Sequence, residues 1–161
     1  MKIRNLYLAF FLTACTISSL NAQVKVSGEV IHPLTLSASD IAKMNRVTAN
    51  LRDRDGKDHS YAGVSVLEIL NLAGVTTGAQ LRGENLSKYM LVKCADGYEV
   101  AFSLAELDTA FTDKLIILAD ESDGKPLPQG RGPFRLIVPG EKKPARSCHQ
   151  VTEFVIRFAK E

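Results

Sequence analysis

Asp123-Gly124-Lys125-Pro126-Leu127-Pro128 opens a stretch that runs on through Gly132-Pro133-Phe134-Arg135-Leu136-Ile137-Val138-Pro139-Gly140 to Ala145-Arg146-Ser147-Cys148-His149. From Asp120 to Gly132 it is too rich in glycine, proline and charge to be a core element, and it reads as a long polar loop. Phe134 to Val138 then reads as a strand ended by Pro139-Gly140. Val151 to Phe158 reads as the last strand, with Val151, Glu153, Val155 and Arg157 alternating against Thr152, Phe154, Ile156 and Phe158. Just before the loop, Leu115-Ile116-Ile117-Leu118-Ala119 is a continuous apolar run of strand length, expected to be buried on both faces.

Further towards the amino terminus the same mixture continues. Val24, Val26 and Val30 around Gly28 predict a first strand that ends before His32-Pro33. Ser37 offers a hydroxyl cap to a short helix over Ala38 to Met44, with Asp40 in its first turn. Val47 to Leu51 predicts a strand, and Asp55-Gly56 a hairpin turn into His59-Ser60-Tyr61. Ser65 and Glu68 have capping-box spacing ahead of a helix over Val66 to Ala73 that stops at Gly74. Tyr89 to Cys94 and Tyr98 to Phe102 flank a second turn, Ala95-Asp96-Gly97, and Ser103 with Glu106 repeats the capping box. Strands mixed with short helices, without a regular βαβ rhythm, predict an α+β fold of mixed sheets.

The bulk properties narrow the function. Met1-Lys2-Ile3-Arg4-Asn5 is a short basic start, followed by an apolar run from Leu6 to Ala14 and small residues ending at Leu20-Asn21-Ala22. That pattern predicts a signal peptide over residues 1–22, too short and lopsided for a transmembrane span, and an exported, periplasmic or secreted protein. Leu12-Thr13-Ala14-Cys15 offers the competing reading, a lipoprotein box with Cys15 lipidated. Residues 23–161 are enough for one domain with its own core. The formal charge is +2, and Lys2 and Arg4 account for it. A neutral remainder carries no electrostatic footprint for nucleic acid or acidic membranes, so small or uncharged partners are expected.

Cys94 and Cys148 are the cysteines outside the leader. They read either as two separately buried small hydrophobes or, outside the cytoplasm, as a bridging pair. No Cys-x-x-Cys or His-x-x-x-His spacing supports structural zinc. No Gly-x-Ser-x-Gly elbow supports a nucleophilic hydrolase, and Ser147-Cys148-His149 are too close in sequence to form a relay by themselves.

The order of the pieces carries a resemblance. Val26-Ser27-Gly28-Glu29-Val30, Pro33-Leu34-Thr35-Leu36, Tyr61 to Leu70, Asp96-Gly97-Tyr98, Leu118-Ala119 and the Gly124 to Gly140 segment follow one another as in the oxidoreductase molybdopterin-binding domain, the sulfite-oxidase-like family. The chain resembles a compact, secreted single-domain form of it over residues 23–161. The resemblance implies molybdopterin as cofactor, oxidoreductase chemistry at the metal, and a redox partner protein for electrons. It also implies a cofactor-binding set of Arg135, Arg146, Ser147, Cys148, His149 and Asp96. Arg135 would grip the pterin phosphate with its planar fork, and Arg146 to His149 would form a second phosphate- and pterin-facing segment. Asp96 would accept hydrogen bonds from the pterin.

Each of these residues also has a plainer reading. Arg135 reads equally as a sheet-edge arginine paired with an acid, Arg146 with Lys142 and Lys143 as a solvated basic turn, His149 as a capping residue, and Asp96 before Gly97 as turn chemistry. His32 and His59 have no evident partner in the sequence.

Two departures from the family bear on chemistry. The cysteine that would bind molybdenum falls near Leu51 to Asp55, where the chain has Arg52-Asp53-Arg54-Asp55, and arginine cannot ligate a metal. The histidine that the larger enzymes place three residues before the proline is Gly130. Cys94 could substitute as ligand only if its strand ends in the pocket. The run Arg52 to Asp58 reads as a solvated hairpin tip rather than a metal site. Two expectations stay open: a secreted molybdopterin-dependent oxidoreductase of the sulfite-oxidase type, catalytically degenerate if no metal ligand replaces the missing cysteine, or a non-enzymatic binding or interaction module on the same fold.

Overall fold

The computed structural model describes residues 22–159, so the leader reading up to Asn21, Cys15 included, lies outside the described residues. Two five-stranded sheets organise the chain. The first has the order β2 (Leu34–Ser37), β1 (Gln23–Gly28), β10 (Val151–Phe158), β5 (Lys88–Cys94), β6 (Glu99–Ser103). The second runs β3 (Arg46–Arg52), β4 (Asp58–Ser65), β7 (Ile117–Ser122), β8 (Lys125–Pro126), with β9 (Arg135–Ile137) also paired to β7. β1 and β10 pair in parallel while the other ladders are antiparallel. With two short helices, α1 (Ala38–Lys43) and α2 (Val66–Leu72), this is the expected α+β class.

Burial explains the strand sequences. In β5, Lys88, Met90, Val92 and Cys94 are buried and the residues between them half-buried. Val92 and Met90 stand opposite Phe154 and Ile156 of β10. The same apolar cluster takes in Val64, Ile69, Leu118 and Leu136, so the two sheets and α2 share one core. Successive side chains of β7 point to opposite faces. Leu118 therefore enters that core while Ile117 and Ala119 join Leu51, Tyr61 and Ile137 in a smaller cluster behind the second sheet. Burial on both faces is why this strand reads as an unbroken apolar run.

Several local expectations shift. β7 begins at Ile117, leaving Leu115 partly exposed, and it extends to Ser122 because Glu121 and Ser122 find partners on β4 in Ala62 and Tyr61. The start of the expected loop is thus strand, and Asp123-Gly124 turns it into β8. At the register shift between Ala62 and Gly63, a Cβ on Gly63 would lie 2.1 Å from the Leu118 carbonyl oxygen, so this bulge tolerates only glycine. The first strand stops at Gly28, and Leu34–Ser37 forms a strand that the pattern did not announce.

The caps of Ser37 with Asp40 and of Ser103 with Glu106 form as boxes. The Ser65 box does not: the Ser65 side chain makes no cap bond, and Glu68 instead accepts from the Asn45 amide at 3.4 Å. The reason is that α2 leaves directly from β4. Ser65 is still paired with Ile117, and the Val66 amide donates to the Ile116 carbonyl at 3.0 Å, so the cap position and the first helical amide are both held by the sheet.

Residues 147–151 cross from one sheet to the other. His149 forms a bridge with Arg135 of β9, Cys148 accepts from the Leu136 amide at 2.9 Å, and Gln150 accepts from the Ala95 amide at 2.9 Å before Val151 pairs with Cys94. The change of partner needs a sharp bend. Gln150 supplies it with a φ of 54°, in the left-handed region that side chains other than glycine, asparagine and aspartate seldom occupy.

Candidate functional site

A cavity of about 730 Å³ opens where this crossover meets the tip of the β3–β4 hairpin, the Asp123 turn and the loop after β8. Its volume suits a small organic ligand. Its floor is built around Arg135, only 2% exposed on β9. One terminal nitrogen of the guanidinium, Nη1, donates to Asp53 Oδ2 at 2.7 Å and to the Tyr61 hydroxyl at 2.5 Å. The other, Nη2, donates to Asp53 Oδ1 at 3.2 Å, and Nε donates to the Ser147 carbonyl at 3.3 Å. The Tyr61 hydroxyl in turn donates to Asp53 Oδ2 at 3.0 Å, and the guanidinium carbon lies 5.0 Å from the centroid of the Tyr61 ring. Four of the five N–H donors of Arg135 are thus taken by the protein.

The electrostatics follow from these contacts. The Arg135 guanidinium holds the Asp53 carboxyl well below the usual carboxylate range, with a further amide bond from Arg54. Burial, then Asp53, raises the Tyr61 phenol. His149 lies beside them with its imidazole pushed down to about 4, by burial first and then by the cations Arg135 and Arg131. It is neutral at ordinary pH, and its Nδ1 is buried without a hydrogen-bond partner.

The rim has a second motif. His59 donates through Nδ1 towards Asp123 at 2.6 Å and through Nε2 towards Asp55 at 3.0 Å when protonated. The Asp123 carboxylate, then that of Asp55, raises the histidine. Asp123 is also fixed by the Ser60 amide at 2.9 Å and sits at φ 50° in the turn between β7 and β8. Arg54, Lys125 and Arg131 line the same cavity, and none of them has an ion-pair partner among the described residues.

The structure brings Arg135, His149 and Asp96 together in this cavity and leaves Arg146, Ser147 and Cys148 out of its lining. Arg146 faces another way, bound to Glu141 and, at 3.0 Å, to Glu106, with its guanidinium 4.4 Å from the Phe102 ring centroid. Ser147 is buried and its hydroxyl accepts from the Val138 amide at 2.9 Å. Cys148 is buried against Cys94, and neither sulfur lines the cavity. Asp96 accepts from the Tyr98 amide at 3.0 Å, which is turn chemistry, while still facing the cavity.

The hairpin tip is corrected. Asp53, Arg54 and Asp55 are cavity residues, and the Asp53 side chain is only 10% exposed rather than solvated. The signal was parity: Ala49 and Leu51 share the buried face of β3, and Asp53 continues it, opposite the strand that carries Tyr61. Alternating charges concealed it. His59, which had no evident partner in sequence, has two.

A family model now bears on this geometry: the oxidoreductase molybdopterin binding domain matches residues 13–156. The chain belongs to that family. Its fold is similar to the crystal structure of the sulfane dehydrogenase SoxCD from Paracoccus pantotrophus, with a TM-score of 0.66 and 20% identity over 87% of this chain and 39% of that one. The chain therefore spans well under half the length of that solved relative. No curated protein matches it. Among the described residues no helix is long and apolar enough to cross a membrane.

The family implies a molybdopterin, and the donor set tests the fit. No thiol lines the cavity, and among the described residues no group of three or more histidine, cysteine, aspartate or glutamate side chains could hold a metal ion. Of the two acids in the span expected to hold a thiolate, Asp53 has its oxygens committed to Arg135, Tyr61 and the Arg54 amide, and Asp55 bonds His59 and the Lys57 amide. Arg135 cannot offer its fork to a phosphate while it holds Asp53. These residues do not fit a thiolate-held molybdenum.

Proposed function

We propose that this family member is a non-redox binding module whose cavity takes a small anionic molecule, bearing a phosphate or a carboxylate. The observation that carries the reading is the closed triangle of Arg135, Asp53 and Tyr61 at the floor. It commits the Arg135 fork and the Asp53 oxygens to each other, so neither is left to grip a pterin phosphate or a metal. What is left to meet a ligand is charged and unpaired: Arg54, Lys125 and Arg131 on the walls. Of the acids around them, Asp53 is paired with Arg135, Asp55 and Asp123 share His59, and Asp96 accepts from the Tyr98 amide. Hydrogen bonds from Arg131 or Lys125 to an anion are charge-assisted, and partial enclosure strengthens them over the same contacts in open water.

Two measurements test this. Protein purified from a host that makes molybdopterin is assayed for molybdenum by elemental mass spectrometry and for pterin by fluorescence, and neither is expected. Molybdenum near one equivalent would overturn the proposal and restore a molybdopterin oxidoreductase. Calorimetric titration with inorganic phosphate and with small carboxylates should show binding that weakens roughly tenfold or more in Arg131→Ala. Absence of binding by every anion would reject the ligand class.

Export belongs to the same proposal. It rests on the basic start and apolar run of residues 1–22. Amino-terminal sequencing of protein secreted by a bacterial host should begin at Gln23, and a lipid-modified Cys15 would redirect the reading to a membrane-anchored lipoprotein.

A further inference from the structure

We propose that Cys94 and Cys148 are a disulfide-forming pair, a redox-modifiable staple between the end of β5 and the crossover that carries His149, with a small-molecule or protein disulfide as its oxidant. The inference is independent of what the cavity binds. It starts from placement. Cys94 is the last residue of β5 and Cys148 lies on the segment that leaves β9 for β10. The Val151–Cys94 pairing and the Ala95 amide bond to the Gln150 carbonyl hold the two backbones side by side. Both residues are buried, at 6% and 5% exposure, in the same apolar core cluster. Within that cluster each thiol lies close enough to the other to perturb its titration.

The closeness of the two thiols also sorts their roles. It lowers the Cys94 thiol and raises the Cys148 thiol, which burial raises further. Cys94 is therefore the sulfur that attacks and Cys148 the one that resolves. The Cys94 thiolate attacks one sulfur of the external disulfide and expels the other as a thiolate, forming a mixed disulfide. Cys148 then gives up its proton and attacks the Cys94 sulfur, expelling the second external thiolate. The protein loses two electrons and two protons, and the oxidant is reduced to two thiols.

The consequence reaches the cavity. Asp96 lies two residues beyond Cys94, and His149 and Gln150 follow Cys148 directly, all three lining the cavity. Oxidation ties these two walls covalently and fixes the left-handed bend at Gln150. Closing a loop of this length also restricts the unfolded chain.

The experiment takes the fully reduced protein covering residues 23–161, incubates it folded with oxidised glutathione, quenches with acid and alkylates after denaturation. The expected result is loss of both alkylatable thiols, a mass lower by two hydrogens, and a single cross-linked peptide joining Cys94 to Cys148 that dithiothreitol separates. Tm should rise by roughly 5–15 °C on oxidation. Two thiols that stay alkylatable, or stable glutathione adducts in place of the cross-link, would overturn the proposal, provided the denatured reduced control reacts. Cys94→Ser and Cys148→Ser should each retain one thiol that does not cross-link within the chain. Should either variant fail to fold, the wild-type peptide map still decides. No ligand enters the measurement, so its failure is distinct from failure of the anion-binding proposal.

Discussion

Arg135 and His59 are the cations of the cavity lining that are paired with carboxylates, and they differ chiefly in depth. At the floor Arg135 and Asp53 have side-chain exposures of 3% and 10%, while at the rim His59, Asp55 and Asp123 have 26%, 48% and 53%. At the floor the low-dielectric surroundings make separation of the charges costly, and both partners keep their charge over the working pH range. At the rim, water screens the same kind of contact and the cation can lose its proton. The floor is a structural element that happens to line a site. The rim is a titratable clasp whose strength depends on the medium.

The largest expected effect comes from breaking the floor on one side. Asp53→Ala leaves the Arg135 charge buried without a partner and should cost about 3–5 kcal/mol in urea denaturation, whereas Asp53→Leu combined with Arg135→Met should recover most of that loss. If the single variant costs less than about 1 kcal/mol, floor and rim do not differ in kind. Tyr61→Phe removes the hydroxyl that accepts from Arg135 and donates to Asp53, and about 1–2 kcal/mol should be lost in the same assay.

The two regions should also pull stability in opposite directions with pH. His149 has a folded value near 4, below its unfolded value of about 6.5. The unfolded chain therefore binds the proton first, so its contribution is complete above about pH 6.5 and is lost as pH falls towards 4. Asp53, also depressed, adds a further loss below its unfolded value of about 3.9. His59 is raised, so its contribution is complete below about pH 6.5 and fades as pH rises through its higher folded value. Thermal melts across pH should show an acid-side decline that His149→Gln flattens.

The smallest effect belongs to the clasp. His59→Gln should remove the alkaline-side decline and change little else, and a proton NMR titration of the wild-type ring should show a midpoint above the ordinary histidine value. A midpoint at or below that value would mean that the rim contacts do not persist in solution.

Much of the frame was legible because strands announce themselves through local pattern. The apolar run at Leu115–Ala119, the two hairpin turns at Asp55-Gly56 and Asp96-Gly97, and the alternation of β10 are features of neighbouring residues. The Ser65 box failed because the cap position is still held against Ile116 and Ile117, far along the chain, which no local spacing records. Among the site residues, Arg135, His149 and Asp96 were found by family order and do share a cavity, while Arg146 and Ser147, taken from the same segment, turn to other partners. Asp53 was passed over because its neighbours are charged, although its parity with Leu51 pointed inward.

What the chain alone determined is most of the succession of elements, Leu34–Ser37 excepted, and the missing thiolate near positions 51–55, since both depend on residue identity and short-range periodicity. Which groups neutralise which was decided only by the tertiary structure. Asp53 and Arg135, 82 residues apart, meet because β4 and β7 carry their strands into one sheet, and the same folding sets Cys148 against Cys94. A charge or a thiol acquires its chemistry from what lies within a few ångströms. Sheet pairing across long separations sets that distance, and nothing in the neighbouring sequence encodes it.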